Sequence, residues 1–117
     1  MRNSAVLALL VWGCSGATVR TGPELLTEGL MDLPPEVRAS CDLAAHRCSR
    51  CHPLERLALA RVSGPMHWRM YVDRMRVQPG SGISPEEGQT IVRCLVFRSF
   101  GEAGVRSLEG DPKEVVK

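Results

Sequence analysis

The chain has 117 residues and a formal charge of +2, and only 4% of its residues are aromatic. That length allows one small domain, and two tryptophans, two phenylalanines and one tyrosine are thin material for a self-sufficient core. So small a charge, with no basic run interleaved with aromatics, gives no argument for nucleic-acid binding, and none is expected.

Residues 1–13 open with Arg2 and continue as the apolar stretch Ala5-Val6-Leu7-Ala8-Leu9-Leu10-Val11-Trp12 before Gly13. A basic start followed by an apolar run too short to span a bilayer predicts a signal peptide, and therefore export. Gly13-Cys14 after Leu10 and Val11 resembles the lipobox of bacterial lipoproteins, which implies that Cys14 is acylated. The expected address is the periplasm or outer surface, with the membrane reached through a lipid anchor only. Trp12 is unusual there, and the alternative is an ordinary signal peptide cut nearby, leaving Cys14 free or removed. Residues 14–33 mix Thr, Gly, Pro and Glu without periodicity and are expected to form a tether reaching roughly 25 Å.

From residue 34 the pattern is helical. Pro34-Pro35-Glu36 opens a predicted helix running towards His46, with Val37, Cys41, Ala44, Ala45 and Cys48 on one face. A short helix is expected from Pro53 to about Ala60, and Gly64-Pro65 breaks the chain. The next predicted helix, Pro65 to Arg76, places Trp68, Tyr71, Val72 and Met75 at i, i+3, i+4 and i+7. After the loop Gln78-Pro79-Gly80-Ser81-Gly82, Ser84-Pro85-Glu86-Glu87 reads as a capping box with proline at the first helical position. The helix it starts carries Ile91, Val92, Cys94, Leu95 and Val96 and should stop before Gly101. The domain is therefore expected over 34–101, with a polar, frayed tail over 102–117. No strand pattern appears, so the expected class is all-α.

Cys48-Ser49-Arg50-Cys51-His52 is a C-x-x-C-H run, which reads as a covalent haem c attachment site. Two intervening residues let both sulfurs reach one porphyrin edge, while the adjacent imidazole turns towards the iron. A zinc half-site or a redox dithiol uses the same C-x-x-C, although after His52 only His67 and Cys94 remain as further zinc ligands. Export favours haem, because c-type haem is attached after translocation. With Cys14, Cys48 and Cys51 assigned, Cys41 and Cys94 are left as an even pair, which in an exported protein suggests a disulfide; two buried free thiols are the alternative.

The order of helix, C-x-x-C-H, short helix, Gly-Pro, Met-ending helix, loop and capped helix resembles class I cytochrome c over about residues 34–100. Trp68-x-x-Tyr71-Val72-x-Arg74-Met75, Ile83-Ser84-x-Glu86 and Ile91-x-x-Cys94-Leu95 look like short single-haem bacterial cytochromes that accept electrons from periplasmic dehydrogenases. Those usually carry an aromatic residue where Cys94 stands. The resemblance implies three to four helices around one covalently bound haem c, held by Cys48 and Cys51. It implies His52 as proximal iron ligand, its ring held by the Pro65 carbonyl, and Met75 as distal ligand. Met70 and Met66 are weaker distal candidates, His67 would give a bis-histidine iron, and His46 stands too close to Cys48 to cross the porphyrin. Pro65, Trp68 and Tyr71 are expected to pack around the haem, with a Trp or Tyr polar tip free for a propionate. Crossing of the first and last helices would bring Cys41 and Cys94 together.

The function implied is one-electron transfer without substrate chemistry, as a carrier or as the electron-accepting subunit of a dehydrogenase. Between Arg47 and Arg76 seven arginines face only Glu55 and Asp73, an excess of five positive charges expected around the haem edge. Such a field would steer an acidic redox partner; the alternative is a solvated face with one or two arginines compensating the propionates. Two competing functions are a haem-based sensor or ligand-binding lipoprotein, in which Met75 detaches, and a haem-free zinc or dithiol protein.

Overall fold

Helix α2 (Pro35–Cys48) buries Val37, Cys41, Ala44, Ala45 and Cys48, the stripe expected from the spacing, and that stripe is what ties it to the longest helix, α5 (Pro85–Glu109). The computed structural model describes residues 22–110, so the leader, Cys14 and residues 111–117 lie outside the described residues. The remaining elements are α1 (Glu24–Thr27), α3 (Glu55–Ala58) and α4 (Pro65–Arg76). Among the described residues there is no strand, and the chain is all-α as expected. No described helix is long and apolar enough to cross a membrane.

Helix α5 packs most extensively against α4 and α2. Ile91, Cys94, Leu95 and Val96 are fully buried, and they meet Trp68 and Val72 of α4 in one continuous core. The Trp68 indole N–H donates to the Ser99 hydroxyl at 2.9 Å, so the largest buried side chain satisfies its one polar atom inside the α4–α5 contact. The sulfurs of Cys41 and Cys94 lie at bonding distance, 2.08 Å, where the middle of α2 crosses the middle of α5.

The N-terminus of α5 is fastened twice. Ser84 Oγ accepts from the Glu87 N–H at 3.1 Å and Glu87 Oε2 accepts from the Ser84 N–H at 3.0 Å, completing the capping box. The other Glu87 oxygen accepts from Arg47 Nη2 at 2.6 Å and from Nε at 3.2 Å. One carboxylate thus caps α5 and holds the end of α2, one residue before Cys48.

Those donors, the Arg47 guanidinium first and the Ser84 amide second, pull the Glu87 carboxyl below its ordinary value of 4.5. A group depressed on folding stabilises the fold above its unfolded pKa, and the contribution disappears as pH falls through the folded one. Glu87→Gln is accordingly expected to lower the urea midpoint at pH 7. The gap should narrow steadily below about pH 4.5, where the wild-type carboxyl protonates as well. A gap constant from neutral pH into acid would show that charge plays no part.

Three features depart from the sequence expectation. Residues 24–33 do not form a free tether, because Leu26 of α1 is fully buried and Leu33, beyond α1, is almost so, and both join the core. The clamp is Arg98 of α5, whose Nη1 donates to the carbonyls of Leu25 and Leu26 at 3.1 and 2.9 Å, and whose Nη2 donates to Ala58 at 3.4 Å. Carbonyls at the ends of α1 and α3 have no helical partner of their own, and one guanidinium serves both. Burial pushes the Arg98 pKa down, as expected for a charge drawn partly out of water.

The second departure is at the C-terminal end. The helical path does break at Gly101, where φ is +66°, but it resumes to Glu109 instead of fraying. A straight helix would set Arg93 and Glu109 about 24 Å apart. Their side chains meet at 3.4 Å, so the segment after Gly101 folds back along α5. Its apolar residues explain the return: Val105 and Leu108 pack against the core, and buried Gly104 lets the two arms approach. A Cβ at Gly104 would lie 3.1 Å from a Val96 methyl carbon.

The third departure concerns charge. The seven arginines expected around one edge are divided: Arg47 is committed to Glu87, and Arg76 pairs with Asp73 at 3.1 Å. Arg56 and Arg74 border one cavity, whereas Arg69 and Arg76 border another on the far side of α4.

Candidate functional site

Helix α2 ends on Cys48, and the following turn, tied by the Cys51 N–H to the Cys48 carbonyl at 3.5 Å, leads to His52. Neither Cys48 nor Cys51 is in a disulfide; Cys48 is buried and Cys51 is exposed. Burial, then the neighbouring Cys51, pushes the Cys48 thiol up from 9.0 to about 11. At neutral pH Cys48 is therefore a protonated thiol, the opposite of the low-pKa thiolate that a redox dithiol uses for attack. Among the described residues no three His, Cys, Asp or Glu side chains converge as a metal-binding group. Cys48, Cys51 and His52 accordingly do not turn towards a common zinc position.

His52 instead faces a cavity of about 260 Å³, which it lines together with Arg56, Tyr71, Arg74, Met75 and Gln78. The four α4-side residues stand at i, i+3, i+4 and i+7 from Tyr71, one stripe along the end of α4. Both Tyr71 and Met75 are half-buried and continue into the core through Trp68 and Val72. Tyr71 meets Trp68 edge-on, ring centroids 5.8 Å apart.

His52 Nδ1 lies 3.1 Å from the Pro53 carbonyl. With the proton on Nδ1 the ring donates there, and the Nε2 lone pair is left free for a metal. The expected carbonyl was that of Pro65, which instead occupies the first turn of α4; the carbonyl one residue along the chain is simply nearer. The cavity thus offers an imidazole nitrogen and a thioether sulfur from two different elements, beside a buried and an exposed thiol. That donor set fits a haem c. At about 260 Å³ the cavity is smaller than the roughly 300–1,000 Å³ of common small-molecule sites, so the donor set and not the enclosed space is what matches the group.

The structure brings together His52, Tyr71 and Met75 on one cavity, while Cys48 and Cys51 precede His52 in the chain without lining it, and two further expected neighbours are left out. Trp68 is buried between α4 and α5 with its N–H committed to Ser99, so its polar tip is not free for a propionate. Pro65 lies outside the cavity lining. The weaker ligand candidates separate cleanly. Met66 and Met70 are exposed, His46 is exposed on α2, and the His67 ring accepts from the Ser63 N–H at 3.3 Å.

Arg56 was present in the sequence only as a member of the basic segment, and its place on the cavity required the fold. Arg74 stood also in the Trp68-to-Met75 pattern, three residues from Tyr71. Comparison of the chain with models of known families, with curated proteins and with solved structures gave no match.

Proposed function

We propose that this protein is a single-haem c-type cytochrome of class I that transfers one electron at a time. The observation that carries the reading is the convergence of His52, Tyr71 and Met75 on one cavity at the end of the helix that bears Cys48. Cys48 and Cys51 would hold the group covalently, and His52 and Met75 would ligate its iron. When bound, haem supplies an iron that alternates between Fe(III) and Fe(II). A thioether ligand raises the reduction potential relative to a second histidine.

The chain's own residues account for the rest of the chemistry. A proton on His52 Nδ1 would be held by the Pro53 carbonyl at 3.1 Å, the tautomer that leaves Nε2 available. Tyr71 and the buried stripe behind it exclude water from one side. Arg56 and Arg74 at the mouth provide two cationic groups for the propionates and for an acidic face on a redox protein or dehydrogenase subunit. With His52 and Met75 both ligating it, the iron would have no free position for substrate chemistry. The expected address stays the periplasm or outer surface, with Cys14 as lipid anchor.

A pyridine haemochrome spectrum of protein produced with a c-type maturation system tests the reading directly. The expected result is the spectrum of a haem with both vinyl groups saturated, at one per chain. A colourless chain would leave the haem-free alternative standing. Met75→Ala is expected to remove the sulfur-to-iron charge-transfer band of the oxidised protein, whereas Met66→Ala and Met70→Ala retain it. Loss of the band in either of the latter would move the distal ligand away from Met75.

A further inference from the structure

Counting 100° per residue, Arg69, Asp73 and Arg76 lie roughly half a turn around α4 from Tyr71, Arg74, Met75 and Gln78. Helix α4 therefore presents a second face to a second cavity, of about 480 Å³, closed on its other sides by α5 and by the segment folded back after Gly101. The two cavities share no residue.

This second cavity has two unlike walls. Arg69, Arg76 and Arg93 supply three guanidinium groups, while Val92, Val105 and Leu108 supply hydrocarbon. Arg69 makes no hydrogen bond or ion pair among the described residues. Arg76 is only half used: Nη1 donates to Asp73 at 3.1 Å, while Nε is buried with no partner among the described residues. A buried, unsatisfied donor is costly and rare in folded proteins. The position of Arg76 depends on Gly88, since a Cβ there would stand 2.5 Å from Arg76 Cδ. Arg93 pairs with Glu109 at 3.4 Å, both partly exposed, a contact weak enough to exchange for another anion.

We propose that this cavity binds a small amphipathic organic carboxylate. The head group takes the free guanidinium of Arg69 and the Nη2 of Arg76, which has no hydrogen-bond partner among the described residues, and the hydrocarbon body lies along Val92, Val105 and Leu108. The volume falls within the roughly 300–1,000 Å³ range of small-molecule sites and exceeds what a bare inorganic anion requires. Because Val105 and Leu108 belong to the folded-back segment, the ligand would also hold that segment against α5. The site is independent of haem, and its occupancy does not depend on the electron-transfer reading.

Calorimetric titration of the purified full chain with octanoate, acetate and octanol tests the proposal. Octanoate is expected to bind saturably at one per chain, with acetate and octanol each at least about tenfold weaker, since one lacks the body and the other the charge. Arg69→Gln, at an exposed position, should weaken octanoate at least about tenfold with the helical spectrum unchanged. Arg56→Gln, on the opposite side of α4, should leave it unaltered. Absence of saturable octanoate binding, or octanol and acetate binding as tightly as octanoate, would overturn the proposal.

Discussion

Replacing both Cys48 and Cys51 by alanine is expected to abolish covalent haem attachment entirely, leaving any pigment extractable into acidified acetone. Alanine is the better replacement because Cys48 is only 4% exposed, and a serine hydroxyl there would be buried without a partner. The fold should tolerate the change. Cys48 sits at the last residue of α2, where the Arg47–Glu87 pair and the Cys41–Cys94 pair already hold the helix to α5. Each single replacement should leave one thioether and a pigment that stays with the chain. Because Cys48 is a buried thiol and Cys51 an exposed one, the two single variants should also differ in yield, with Cys51 the easier site to reach. Pigment that remains covalently bound in the double variant would reject the attachment site altogether.

Removing Cys41 and Cys94 together should produce the largest loss of stability. Their sequence separation is 53 residues, for which the chain-entropy account gives about 4 kcal/mol, near the top of the usual range of about 2–4 kcal/mol. A domain of this size has roughly 5–15 kcal/mol in all, so the double alanine variant gives up a large share of it. Both cysteines are fully buried, and the loss of two sulfurs from a close-packed contact adds to the effect. Thermal unfolding of the variant should shift down by at least about 8 °C, on the order of 4–8 °C per kcal/mol for a domain of this length. Unfolding that is the same for wild type and variant would mean that the bond contributes nothing to the fold. The position has a local logic as well. The cross-link joins α2 and α5 with little side-chain volume.

Local chemistry made much of the fold legible. The proline at the start of α4 and the apolar spacing that follows it predict the helix over Pro65–Arg76, as observed, because both signals act within a few turns. The Ser84 box forms both of its reciprocal hydrogen bonds for the same reason. Val37, Cys41, Ala44, Ala45 and Cys48 are buried as one face because nothing in the tertiary structure competes with the pattern. The C-x-x-C-H run, too, is a purely local motif, and the haem attachment proposed for it rests on five adjacent residues.

What lay beyond the sequence depends on distant partners. Leu26 reads as part of a polar linker until Arg98, more than 70 residues away, supplies donors for the carbonyls around it. Gly101 reads as a helix stop, and it is one, but only the apolar side of Val105 and Leu108 meeting α4 and α5 turns the stop into a hairpin. The same holds for charge: seven arginines counted along the chain read as one field, and in space five of them divide between an ion pair at the base of α5 and two cavities on opposite sides of α4. Spacing and capping act over one to seven residues and can be read directly. Which face a side chain shares, and with whom, is settled by packing between helices, and that packing alone set His52 beside Met75 and opened a second cavity behind them.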